Sequence, residues 1–92
     1  MSYQLLYSET SKKQIKKLHP QIKPVVKSKI EALQQNPFSG KWLEKELSGY
    51  LSIHARRFRV IYRIKDNDQT VEIYYVGHRK DIYELFKAAI AK

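Results

Sequence analysis

Between Leu51 and Ile64 the chain reads LSIHARRFRVIYRI, and few folds are compatible with it. Leu51, Ile53 and Ala55 alternate with Ser52 and His54. After Arg56-Arg57, Phe58, Val60, Tyr62 and Ile64 alternate with Arg59, Ile61 and Arg63. Such alternation sends successive side chains to opposite faces of a strand, and two runs separated by two residues predict an antiparallel hairpin. With Arg56-Arg57 as the loop, Ala55 falls opposite Phe58, His54 opposite Arg59 and Ser52 opposite Ile61. His54 and Arg59 then stand about 5 Å apart on the face away from the apolar one. A histidine beside a fixed guanidinium suits phosphate chemistry. Arg-Arg is an unusual tip, because two-residue turns favour Gly, Asn or Asp at positions of positive φ. A slip of one residue would invert both faces.

The remaining elements follow from periodicity and punctuation. Tyr3–Tyr7 reads as a first strand, and Ser8-Glu9-Thr10-Ser11 supplies N-cap candidates for a helix to about Leu18. Its apolar stripe is only Ile15 and Leu18, so this helix is expected on the surface, along one edge. A second helix carries Ile22, Val26, Ile30 and Leu33, with Pro24 in its first turn and Asn36-Pro37 ending it. Residues 36–50 read as a loop with one helical turn near Trp42–Leu47, hinged at Gly40 and Gly49, with Trp42 and Leu43 packed on the domain. After the turn Asp66–Gln69, a strand Thr70–Val76 pairs symmetrically with its predecessor. Arg63 then faces Glu72, Ile61 faces Tyr74, and Arg59 faces Val76. The inner face becomes Phe58, Val60, Tyr62, Ile64, Val71, Ile73 and Tyr75. A last helix carries Ile82, Leu85, Phe86, Ala89 and Ile90. The order predicts one α+β domain over residues 1–92.

At 92 residues with 42% hydrophobic side chains, the chain supports one small core. It has no cysteine, excluding disulfides and thiolate metal sites, and its three histidines lack ligand spacing. Neither a leader nor a membrane span is legible, so a cytoplasmic location is expected. The net charge of +9 points to a polyanionic partner such as nucleic acid. The cations are also segregated: all five arginines lie between Arg56 and Arg79, whereas seven lysines crowd Lys12–Lys29. Lysine is a hydrated point charge, while the arginine fork suits bidentate phosphate contact. Lys12, Lys13, Lys16 and Lys17 are therefore read as a steering surface for a polyanion, nucleic acid or a nucleoprotein particle, or else as a solvated helix face. The arginine-rich half, with Arg56 and Arg57 at the hairpin tip, is read as the place where phosphate is held.

The outer face of the sheet is expected to gather Ser52, His54, Arg59, Ile61, Arg63, Tyr74 and Val76, with His78 and Arg79 following the last strand. Tyr83, four residues beyond Arg79, would share its helical face. His54, Arg59, Arg79 and Tyr83, with Ser52 and His78 in support, form a kit for metal-free RNA cleavage. One group takes the 2′-OH proton, cations stabilise charge on the phosphate, and another group protonates the leaving 5′-oxygen. Taken singly, His54 is an ordinary surface histidine, the arginines are ion-pair partners, and Tyr83 caps the core. GxxxxGK[ST] and GxGxxG are absent, as is an acidic cluster for magnesium. No cofactor is expected.

LSGYLSIHARRFRVIYRI and VGHRKDIY resemble the RelE/ParE superfamily of type II toxin–antitoxin toxins, its RelE branch more than others. The resemblance spans nearly the whole chain, the NPF…GKWLEKELSGY linker included. It implies a microbial-RNase-like domain, with two N-terminal helices packed on a mainly antiparallel four-stranded sheet and a C-terminal helix. It also implies a ribosome-dependent mRNA endonuclease acting in the A site, neutralised by a cognate acidic antitoxin. By motif, Arg59 and Arg79 match the arginines on the scissile phosphate, and Tyr83 the tyrosine of base catalysis or substrate orientation. Ser52 and His54 stand where branch members have lysines, leaving the acid and the base unassigned. The ParE-type alternative is a DNA gyrase inhibitor without nuclease activity.

Overall fold

The computed structural model describes residues 2–91. The hairpin forms as expected: β3 (Leu51–Ala55) and β4 (Phe58–Lys65) pair antiparallel, with Ala55 opposite Phe58, His54 opposite Arg59 and Ser52 opposite Ile61. The tip is made by Arg56 in the left-handed conformation, φ +58°, which costs a residue with a side chain roughly 1–2 kcal/mol. β1 (Gln4–Tyr7), β2 (Lys41–Trp42) and β5 (Thr70–His78) complete a sheet of order β1-β5-β4-β3-β2. The β1–β5 pair is parallel and the others are antiparallel. The sheet thus has five strands where four were expected. The extra one, β2, is two residues long, too short for alternation to reveal. Its Trp42 is 53% exposed and stacks loosely on Phe38 at 6.4 Å, so the expectation that it packs on the domain fails. Leu43 does pack, against Leu47 and its neighbours.

α1 (Glu9–Lys16) and α2 (Lys23–Ala32) cover one face. There Val26, Ile30 and Leu33 meet Leu51, Val60, Tyr62, Val71 and Ile73, all at most 1% exposed. The thin apolar stripe of α1 has a structural reason. β1 ends at Tyr7, so beyond Ile73 the neighbouring edge of β5 is open, and open edges need cover. Residues at three-residue spacing along α1 supply it. Ser8 Oγ donates to the Tyr74 carbonyl at 2.9 Å, and Ser11 Oγ to the Ile73 carbonyl at 3.0 Å. Gln14 Oε1 accepts from the Val76 amide at 2.7 Å. Ser8 also caps the helix, accepting from the Ser11 amide at 3.0 Å.

The strand pairing after the 66–69 turn begins as predicted, with Arg63 opposite Glu72. The ion pair, however, goes to Lys65 at 3.9 Å, while Glu72 accepts from Tyr74 Oη at 2.8 Å and Arg63 lies over the Tyr50 ring at 5.6 Å. Between Ile61 and Tyr62 the register shifts. Tyr74 is the extra residue of a bulge, so Ile61 faces Tyr75, Val60 faces Val76, and Arg59 faces Gly77. Tyr75 therefore joins the outer cluster and Val76 the inner core, the reverse of the symmetric expectation. α3 (Ile82–Ile90) lies over this outer face, burying Ile82 and Phe86 against Ile61 and Leu47. Each such buried side chain is worth about 1.5–3 kcal/mol. None of the described helices is long and apolar enough to cross a membrane.

Candidate active site

The hairpin end of β3 and β4, beside the start of α3, carries the candidate residues. Ser52 and His54 share the outer face by alternation, and Arg59 stands opposite His54. Ser52 is 1% exposed because α3 closes over it, and its Oγ lies 3.1 Å from Tyr83 Oη. Tyr83 is therefore tied to the sheet through Ser52. Its expected helical relation to Arg79 does not hold, since 79–81 is a turn and α3 begins at Ile82. Arg79 is exposed, and its amide donates to the Arg57 carbonyl at 2.8 Å, which joins the end of β5 to the hairpin tip.

Arg56, Arg57, Arg59 and Arg79 thus gather at one end of the sheet. Arg59 is half-buried, and its Nη1 donates to the carbonyls of Arg56 (3.1 Å) and Phe58 (3.0 Å). The guanidinium is anchored on the turn, with its remaining N–H groups available to an anion. His54 is exposed; loss of hydration, then the positive charges of Arg59 and Lys41, hold its pKa below the ordinary 6.5. A neutral imidazole beside cations is a competent proton acceptor at neutral pH.

His78 does not belong to this group. The bulge sets it opposite Phe58, against whose ring it packs edge-on at 5.7 Å on the face covered by α1 and α2. Conversely, Lys41 was missed by the sequence reading. β2 pairs Lys41 with Ser52, so the lysine stands on the outer face diagonal to His54. A two-residue strand leaves no periodic signal, and only the register reveals it.

The lysine surface differs in detail from its expected form. A groove of about 500 Å³ between α1 and α2 is lined by Lys12, Lys16, Lys23 and Lys27 with the single acid Glu31. Lys13 and Lys17 are exposed beside it. Among the described residues, no group of three or more His, Asp or Glu could hold a metal ion.

Residues 5–83 match the family model of the ParE toxin of type II toxin–antitoxin systems, parDE. The chain belongs to that family. It is 38% identical over 85 residues to Toxin RelG of Mycobacterium tuberculosis (strain ATCC 25618 / H37Rv), covering 90% of this chain and 98% of that protein. The toxin–antitoxin complex RelBE2 of the same species contains a chain with TM-score 0.80 and 34% identity, covering 88% of this chain and 95% of that one. A mutant of E. coli toxin RelE in the free state shares the fold at TM-score 0.79 and 21% identity, over 99% of this chain and 98% of that one. The RelE/ParE superfamily and its α+β architecture are therefore those of this toxin, and the resemblance read from LSIHARRFRVIYRI and VGHRKDIY is borne out.

Proposed function

We propose that this toxin is a ribosome-dependent, metal-independent mRNA endonuclease that inhibits translation and is neutralised by a cognate acidic antitoxin. The observation that carries the reading is the convergence of His54, Arg59, Arg79 and the Ser52–Tyr83 pair at one end of the sheet. Neutral His54 accepts the 2′-OH proton as the oxygen attacks the scissile phosphate. Arg59, pre-oriented by the turn carbonyls, and exposed Arg79 stabilise the charge that grows on the phosphate oxygens. Tyr83, its hydroxyl held by Ser52, orients the ribose or passes a proton to the leaving 5′-oxygen. Arg56, Arg57 and the lysine groove with Lys13 and Lys17 hold RNA phosphates, giving a steep salt dependence. The activity belongs in the cytoplasm, where the ribosome is. The complex formed by the RelBE2 relative supports an antitoxin partner for this chain as well.

Primer extension on translated message after induction tests the reading. The upstream fragments should end in a 2′,3′-cyclic phosphate or 3′-phosphate, with the chemical step insensitive to chelator. A 3′-hydroxyl with a 5′-phosphate would refute the mechanism. A second reading, inhibition of DNA gyrase, is favoured by the match to the ParE family model. It requires altered supercoiling by the purified toxin, with message left intact.

A further inference from the structure

β2 pairs with only the first two residues of β3, so the edge of β3 from Ile53 to Ala55 has no strand beside it. Between this open edge and α2 lies a cleft of about 430 Å³, lined among others by Lys29, Ser39, Gly40, Lys41, Ser52 and His54. No carboxylate lines it, and among the described residues neither lysine is in an ion pair. Lys29 from α2 and Lys41 and His54 from the sheet edge border one concave space, with Ser39 among them, and together make a receptor for a compact anion.

Lys41 is held there by a buried device. Tyr62 Oη donates to the Pro37 carbonyl at 2.7 Å and accepts from the Gly40 amide at 3.1 Å. A Cβ at Gly40 would stand 2.4 Å from Tyr62 Oη and 2.8 Å from the Ser52 carbonyl, so only glycine permits this approach. The residue after Gly40 is thereby fixed opposite Ser52. Arg59 flanks His54 directly across the hairpin and Lys41 flanks it diagonally, about 5 Å and 7–8 Å away respectively in Cβ terms. Cations on both sides of one proton-transfer group suit two successive phosphates of a single chain.

We infer that this cleft is a second phosphate subsite, in which Lys41 and Lys29 bind the RNA phosphate next to the scissile one. The inference rests on the nuclease reading above and names where its substrate continues. Lys41 is a binding residue for the flanking nucleotide, outside the reacting atoms, and it sets the register of the scissile linkage on Arg59 and His54.

The test is single-turnover cleavage on programmed ribosomes with toxin concentration varied. Messages carry an uncharged methylphosphonate on one or the other side of the scissile linkage. Neutralising one of these two positions should raise the half-saturating concentration of the unaltered toxin on the order of 10-fold, the size of one charge-assisted hydrogen bond. Lys41→Gln should show a similar loss on the charged message and no further loss on the neutral one, whereas Lys41→Arg should keep the sensitivity. Losses from Lys41→Gln and the neutral linkage that simply multiply would overturn the subsite alone, and so would a Lys41→Gln protein indistinguishable from the parent. Failure of the unaltered toxin to cleave any message on ribosomes would overturn the nuclease reading, and the subsite with it.

Discussion

Replacing Tyr62 by phenylalanine removes one oxygen from a fully buried ring and nothing else. That oxygen serves two partners, the Pro37 carbonyl at 2.7 Å and the Gly40 amide at 3.1 Å. Each net hydrogen bond is worth about 1 kcal/mol, and a partner left buried without one costs about 1–3 kcal/mol. Pro37 is buried and Gly40 half-buried, so Tyr62→Phe should destabilise the toxin by about 2–3 kcal/mol. The urea midpoint should fall with an unchanged slope, and the thermal midpoint by roughly 10–20 °C. Burial pushes the Tyr62 hydroxyl from 10.0 up to about 12, with the Gly40 amide pulling the other way. Between those values the unfolded chain has lost this proton while the folded one keeps it. The contribution is therefore whole below pH 10 and fades as pH rises toward 12, by roughly 2–3 kcal/mol. Phenylalanine lacks this component, so the stability gap between the two proteins should narrow over that interval. A gap under about 0.5 kcal/mol at pH 7, or one constant to pH 12, would refute the reasoning.

Arg59→Ala and Arg79→Ala should each slow single-turnover cleavage on the order of 100- to 1000-fold and abolish growth inhibition, with lysine rescuing only partly; full toxicity of both alanine variants would favour the gyrase reading. The His54 imidazole should titrate below 6.5 by NMR and move upward, though not fully, in Lys41→Gln and in Arg59→Ala, because desolvation is the largest cause and remains. His54→Ala should slow cleavage and remove one limb of the pH–rate profile; an unaltered profile would pass the role to Tyr83. Replacing Lys12, Lys16, Lys23 and Lys27 together by Gln should weaken ribosome association and flatten its salt dependence while leaving the rate at saturation nearly unchanged.

The hairpin register was legible because alternation and a two-residue tip leave one arrangement that buries Leu51, Val60 and Tyr62 together. The two N-terminal helices were legible from the Ser8–Ser11 cap residues of the first and from the helical spacing of Val26, Ile30 and Leu33 in the second. What the sequence concealed depends on features without a period. A bulge is one residue, and nothing in TVEIYYVGH marks Tyr74 as the extra one, so Tyr75, Val76 and His78 were assigned to the wrong faces. β2 is two residues, so Lys41 passed for loop. The turn at 79–81 broke a helical spacing that Arg79 and Tyr83 satisfy on paper. His54, Arg59 and Ser52 lie between β2 and the bulge, on a hairpin that is itself regular, and their arrangement could be read directly.

The bulge in β5 acts as a half-period phase change written into one strand. Before it Val71 and Ile73, and after it Val76, face α1 and α2, while Tyr75 faces α3. Gly77 then falls beneath Ile82, where an added Cβ would find the side chain at 3.4 Å, while the imidazole of His78 is turned to the side of Phe58. A regular ladder that kept Tyr74 in it would pair Tyr74 with Ile61 and put every later residue out of phase. Val76 and His78 would point at the α3 side, and Gly77 at the helix-covered core. A histidine now packed on a phenylalanine would stand beside Arg59, and the last helix would lose the flat seat that carries Tyr83 to Ser52. One residue of strand length thus decides which of two histidines the arginines keep company with.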